Sequence, residues 1–534
     1  MKIHYPGCEP AGAQKNGKPW PVLRLDQLEA IYRIKREIKT GSKGVLVGAG
    51  MGSGKTVVTV EVMMQAKPKR ALIVGVKDAY GQWKKAFKEQ GATQPLLRIN
   101  GTQEGRDNLA KLLDGDDGLF YAGLEALRAP DWEMVSETVE WSKAEQREHG
   151  LGESFQTPAK AKQKGVYRKM RPVDLLISDE AHKHANQKSA SIKTMNSISA
   201  KSKIALSGTF FGNKFENAWA LTTWLWGKNV IGTKGMFEAV YCVKVPVMSK
   251  DGYKQLTTPN GHPLSKVLGE ARPGEFVETL PCYVFIATPI GDVPEPEAVK
   301  VVLSKEQQRQ YNEMEAQSLT WIPSSVGTMR EPLIADIPIV QRIRLRTAAL
   351  GAMTLIPGAK EDSPDSVTFD PGCKSSLLDA AYDVLHRPSW KGKKVLILTH
   401  SKPFAVEVAR RIGQKYNTAL KTGDVSSKQW DKDKESFMRP VSETDSVQYL
   451  VAVISAVGTA TDGLQQSCAK VLWLSEDENN VNNIQGSNRV WRDGVALEEY
   501  EAVKLITKST IAEGVLSKNR AHRGKLLDSV AGTR

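Results

Sequence analysis

The chain has 534 residues, too many for one ordinary domain, and its 40% hydrophobic and 25% charged residues are the composition of a soluble globular protein. With 74 Lys and Arg against 60 Asp and Glu the formal charge is +14, which favours a polyanionic partner, nucleic acid first. Five cysteines with no C-x-x-C pair argue against a zinc ribbon or a disulfide framework, and no apolar run reaches signal-peptide or membrane-spanning length, so a cytoplasmic protein with no membrane partner is expected.

The first predicted element is a helix over 25–39, where LDQLEAIYRIKREIK carries apolar residues at helical spacing. Val45 to Val47 then read as a buried strand. They run into VGAGMGSGKT, and the residues after Lys55, TVVTVEVMMQA, suit a helix packed on a sheet. A glycine-rich loop between strand and helix offers unpaired backbone N–H groups and the positive end of a helix dipole, which together favour a phosphate. Gly52, Ser53 and Gly54 let the backbone come close, Lys55 reaches the outer phosphates, and the Thr56 hydroxyl can hold Mg2+. Ala49 stands where the full P-loop pattern has its first glycine.

Further buried strands are predicted in ALIVGV (71–76), GLFYAGLEAL (118–127), DLLISDEAH (174–182) and KIALSGTFFGN (203–213), the last three ending in polar residues. Strands alternating with helices predict a parallel, doubly wound α/β sheet with its ligands at the strand C-terminal ends. The polar and basic stretch from Trp132 to Pro172 has charge without a sustained apolar face and reads as a mobile surface insertion. Residues 244–300, rich in Gly and Pro, read as an irregular connection. A second α/β lobe follows, with strands in KKVLILTH (393–400), YLVAVIS (449–455) and AKVLWLS (469–475).

Two constellations complete the chemistry. LLISDEAH places Asp179 and Glu180 at a strand end, where one carboxylate can hold Mg2+ and the other can polarise an attacking water. His182 is placed to couple them to the rest of the lobe. Late in the chain, QGSNRVWRDG has the pattern Gln-x-x-x-Arg-x-x-Arg, which on a helix puts Gln485, Arg489 and Arg492 on one face. Two arginines held together point to an anion, and as arginine fingers they would act on the γ-phosphate.

In this order the motifs resemble helicase superfamily two ATPases, and among them the Swi/Snf-type DNA translocases, from about Leu23 to the end of the chain. The resemblance matches Gln27 to an adenine-reading glutamine, Lys55 and Thr56 to the P-loop, Asp179, Glu180 and His182 to the DEAH box, and Ser207, Gly208 and Thr209 to the coupling motif. SAVGTATDGLQQSCAKVLWLSED is similar to the fifth motif, and Gln485 to Arg492 to the sixth. Phe210 replaces the proline usual after Gly-Thr, and Ala460-Thr461-Asp462-Gly463 is an atypical fifth motif.

The resemblance implies two RecA-like lobes, 1–285 with the P-loop, the DEAH box and an insertion at about 133–172, and 286–534 with the arginine fingers. ATP and Mg2+ are the implied cofactors, bound in the cleft between the lobes. The catalytic residues are Lys55, Glu180, Arg489 and Arg492. Gln27, Gly52, Ser53, Gly54, Lys55, Thr56, Asp179 and Gln485 hold nucleotide, and Thr56 and Asp179 hold the metal. The implied partner is double-stranded DNA, gripped by its phosphates without sequence specificity, through loop ends near Gly81-Gln82-Trp83, Gly123-Leu124, His400-Ser401, Lys421-Thr422-Gly423 and Thr459-Ala460-Thr461. Trp83 itself is read as a packing residue.

Replication, recombination, repair and remodelling all fit such a motor. A DEAH-type strand separator is the alternative, although it would need a pin or accessory module after the second lobe. A motor subunit that depends on a protein partner in a restriction or repair complex is another. The economy of two lobes suits a bacterial cytoplasm or a virus-infected cell.

Overall fold

In the computed structural model, residues 23–531 are described apart from 51, 129–131, 140–159, 168–169, 187–188, 209–213, 250–253, 259, 289, 327–328, 359–365 and 458–462. The chain divides into two compact units. One takes in Met1–Val47, Thr56–Phe210 and Asn217–Lys234, and the other Gly48–Lys55, Phe211–Glu216 and Gly235–Arg534.

The strands of the first unit are β1 (Gly44–Ala49), β2 (Arg70–Gly75), β3 (Leu96–Ile99), β4 (Gly118–Gly123), β5 (Val173–Asp179) and β6 (Ala200–Ser207). They lie side by side in the order β1-β6-β5-β2-β4-β3. The pairs β5/β6, β2/β5, β2/β4 and β3/β4 are all parallel. Helices Lys55–Ala66, Tyr80–Glu89 and Gln103–Asp114 connect consecutive strands, the crossovers that a parallel sheet requires.

The second unit repeats the plan with β7 (Glu297–Val301), β8 (Val395–Thr399), β9 (Thr418–Lys421), β10 (Tyr449–Val453), β11 (Lys470–Trp473) and β12 (Glu501–Thr507). Their order is β7-β12-β11-β8-β10-β9, the same permutation as in the first unit, and every adjacent pair is parallel. Why the central strands β8 and β10 are apolar at nearly every position is visible in their packing. Val395 and Ile397 of β8 join Tyr449, Val451 and Leu472 in one core, while Leu396 and Leu398 join Leu450, Ala452, Val471 and Trp473 in another. Alternate side chains point to opposite faces and helices cover both, which leaves these two strands almost no position for a polar residue.

Three sequence expectations need correction. Part of the segment read as an unstructured insertion forms a two-stranded antiparallel ribbon, Trp132–Val139 paired with Lys160–Tyr167, separate from the main sheet. Within the stretch read as irregular, Cys242–Pro246 pairs with Ser265–Glu270 as a second small ribbon, and its mostly exposed residues explain the missing apolar periodicity.

The third concerns the arginine pattern. The helix Asn480–Ser487 stops before either arginine, so Gln485 is helical while Arg489 and Arg492 lie in the turns beyond. Asn488 ends it by donating its side-chain amide to Ile484 O at 2.7 Å, a local bond that competes with the helical backbone. The chain then folds back through Arg489 N–H to Gly486 O and Arg492 N–H to Val490 O.

Candidate nucleotide-binding and catalytic residues

In the first unit, Asp179 closes β5 and Glu180 follows it at φ 51°, ψ 50°, a left-handed conformation that few side chains other than Asn and Asp adopt. That turn lets the Glu180 N–H donate to Asp179 Oδ1 at 3.0 Å. Asp179 is 6% exposed. Its other oxygen, Oδ2, accepts from the indole Nε1–H of Trp83 at 2.9 Å.

His182 stands in the short 3-10 helix Ala181–His184, with Nδ1 3.4 Å from Glu180 Oε2 and 3.0 Å from Ser207 Oγ. A single ring thus reaches from the water-polarising candidate on β5 to the end of the neighbouring strand β6. Ser207 is fully buried. Thr209, Phe210 and Asn213, which continue that motif, lie outside the described residues, as do Thr459 to Asp462 of the fifth motif.

Thr56 is buried in the first turn of the helix Lys55–Ala66. Gln27 is also buried and sits in the first turn of Leu25–Lys39, where its Oε1 accepts from the Arg24 N–H at 3.0 Å and so caps the helix. The Trp83 ring is fully buried and unavailable for stacking on a base.

In the second unit, the loop leading to Lys55 has Gly52 at φ 79° and Gly54 at φ 87°, backbone that other residues would strain. Ser53 between them is fully buried and Lys55 partly so. A Cβ placed on Gly52 would lie 3.4 Å from Cγ of Arg492. The structure therefore brings the sixth-motif arginine beside the glycine-rich loop, which sequence spacing alone does not require. One on Gly48 would collide with the hydroxyl of Tyr283, a residue that sequence reasoning does not single out. Arg489, Arg492 and Gln485 are all buried, at 4%, 9% and 5% exposure, so two cationic side chains are carried inside the protein, Arg492 beside a loop suited to an anion.

Some loop ends expected to touch nucleic acid have other duties. Ser401 Oγ caps the helix Lys402–Gly413 by accepting from Phe404 N–H, and His400 Nδ1 lies 2.8 Å from Ser475 Oγ. Burial, and then the nearby Arg346 charge, push the His400 pKa down to about 3. Lys421 lies over the Trp430 ring at 4.9 Å.

Among the described residues no group of three or more His, Cys, Asp or Glu gathers as a metal site, and no helix is long and apolar enough to cross a membrane.

Comparison with known proteins gives consistent matches. The family model "Type III restriction enzyme, res subunit" matches residues 21–212. A chicken (Gallus gallus) protein named "DNA repair and recombination protein RAD54-like" is 22% identical over 544 residues, an alignment covering 95% of this chain and 67% of that protein. The human (Homo sapiens) "Lymphoid-specific helicase" is 25% identical over 224 residues, covering 39% of this chain and 23% of its own length. The chain thus spans about two thirds of the first relative and less than a quarter of the second. A solved structure titled "Sulfolobus solfataricus SWI2/SNF2 ATPase core in complex with dsDNA" covers 95% of this chain and 94% of its own, at 16% identity and a TM-score of 0.38.

Proposed function

We propose that this chain, a helicase superfamily two ATPase of the Swi/Snf type, couples ATP hydrolysis to movement along double-stranded DNA. The observation that carries the reading is the pair of buried Asp179 and half-buried Glu180 at the end of β5, tied through His182 to Ser207, in a chain whose glycine-rich loop suits a phosphate. The 22% identity to a RAD54-like protein over nearly the whole chain supports it, and the charge of +14 supports a partner held by its phosphates.

The residues divide the work. Gly52, Ser53 and Gly54 present backbone N–H groups to the phosphates, Lys55 neutralises their outer charge, and Gln27 and Gln485 complete the nucleotide site. Mg2+ suits this site by donor chemistry, since a hydroxyl from Thr56 and a carboxylate from Asp179 are hard oxygen ligands that leave room for phosphate oxygens and water. When bound, it neutralises charge that develops on the transferred phosphoryl group. Glu180 orients and polarises the attacking water. Arg489 and Arg492 stabilise the charge on the γ-phosphoryl group, and the position of Arg492 beside Gly52 favours that role.

The test is ATP turnover measured without nucleic acid and with single-stranded DNA, duplex DNA, forked DNA and RNA. Duplex DNA is expected to stimulate most. Stimulation by RNA or single strands alone, with robust strand separation, would favour a helicase that opens duplexes.

A further inference from the structure

Trp83 occupies an unusual position for a core tryptophan. It lies on the helix Tyr80–Glu89, which follows β2, and its ring is fully buried. An indole has one polar group, an N–H that can only donate. Trp83 spends that donor on Asp179 Oδ2, 2.9 Å away and 96 residues further along the chain.

The surroundings leave the carboxylate little freedom. Asp179 Oδ1 is engaged by the Glu180 N–H at 3.0 Å, so the two oxygens are held from two directions. On the β2 side a Cβ at Gly75 would lie 3.4 Å from the Asp179 Cβ and 2.5 Å from the Tyr121 hydroxyl, which donates to Val76 O at 2.6 Å. Backbone therefore closes on Asp179 where a side chain would crowd it. Turning the carboxylate about its Cβ–Cγ bond would break both hydrogen bonds inside a buried site, where an unmade bond is costly.

We infer that Trp83 is a positioning residue for the metal site: its indole N–H fixes the carboxylate heading with which Asp179 meets the nucleotide-bound divalent cation. The inference rests on the reading of Asp179 as the Mg2+ ligand given above. Groups that orient a metal ligand typically change metal affinity by about 10- to 100-fold when lost. A residue that only fills space would change stability instead.

The experiment measures Mn2+ binding by electron paramagnetic resonance, as a probe of the Mg2+ site, on the full chain with ADP present. Wild type is compared with Trp83→Phe, with a chain carrying β-(3-benzothienyl)alanine at position 83, and with Phe87→Leu. The benzothienyl ring keeps the shape of indole and lacks the N–H, so it retains the packing if Trp83→Phe fails to fold. Phe87→Leu loosens the same helix at another buried position and leaves the indole N–H in place.

Mn2+ affinity is expected to fall about tenfold or more in the benzothienyl protein and in Trp83→Phe, and to stay at the wild-type value in Phe87→Leu. ATP turnover should need correspondingly more Mg2+ to reach half its maximum. Wild-type affinity in the benzothienyl protein, or an equal loss in Phe87→Leu, would overturn the inference alone. A wild-type chain that binds no Mn2+ with ADP would overturn the nucleotide-site reading and this inference with it.

Discussion

At the scale of single residues, nucleotide binding and chemistry fall to different side chains. Lys55→Ala should abolish turnover, since the outer phosphates lose their cation. Glu180→Gln should still bind ATP and hydrolyse it roughly 100-fold or more slowly, the usual loss when a group that handles a proton is removed. Fluorescent-nucleotide titration beside steady-state turnover checks both, and near-normal turnover in Glu180→Gln would remove Glu180 from its role. His400 gives a pH prediction. Its pKa in the folded chain is about 3 against an ordinary 6.5, so between those values the unfolded chain holds a proton that the folded chain does not. Stability from this group is complete above pH 6.5 and declines as pH falls toward 3, by at most about 1.4 kcal/mol per unit. Urea unfolding at a series of pH values should show a shallower acid decline in His400→Gln than in wild type.

At the scale of elements, what the sequence revealed depended on burial. The strands ending at Asp179 and Thr399 were legible because both faces of a parallel sheet are covered, which makes LLI and VLIL continuous apolar runs before their polar ends. Leu398→Ala, in the middle of that packing, should cost about 2–5 kcal/mol in urea unfolding. The ribbons Trp132–Val139 with Lys160–Tyr167 and Cys242–Pro246 with Ser265–Glu270 escaped notice because strands paired only with each other need no apolar face. The sequence named the motif residues as chemical candidates, while the ends of their helices could not be read from it. No periodicity announces that Asn488 will turn its amide back on Ile484, and the bond from Trp83 to Asp179 spans too much sequence to be inferred from spacing. Because the first ribbon forms its own sheet, deleting 132–167 across a short linker should leave ATP turnover without DNA within about twofold and the unfolding midpoint little changed, although DNA affinity can fall with the lost basic residues. A deletion that unfolds the first unit would show that the ribbon is part of its core.

At the scale of the whole molecule, two units with the same strand permutation each hold residues proposed for the chemistry, and the charge of +14 suits a polyanionic partner. Stimulation by duplex DNA should weaken by at least about tenfold as salt rises from about 50 to about 200 mM, because each phosphate contact releases a counterion. Arg492→Ala should bind duplex DNA with wild-type affinity in a gel-shift or anisotropy titration yet lose most of the stimulated turnover, since the residue stands beside the glycine-rich loop. Movement along the duplex is the central claim, and displacement of a third strand from a DNA triplex reports it without requiring the duplex to open. The account predicts ATP-dependent triplex displacement that is lost in Lys55→Ala and leaves the underlying duplex paired. Duplex-stimulated hydrolysis with no displacement, or displacement accompanied by efficient separation of the duplex strands, would contradict it.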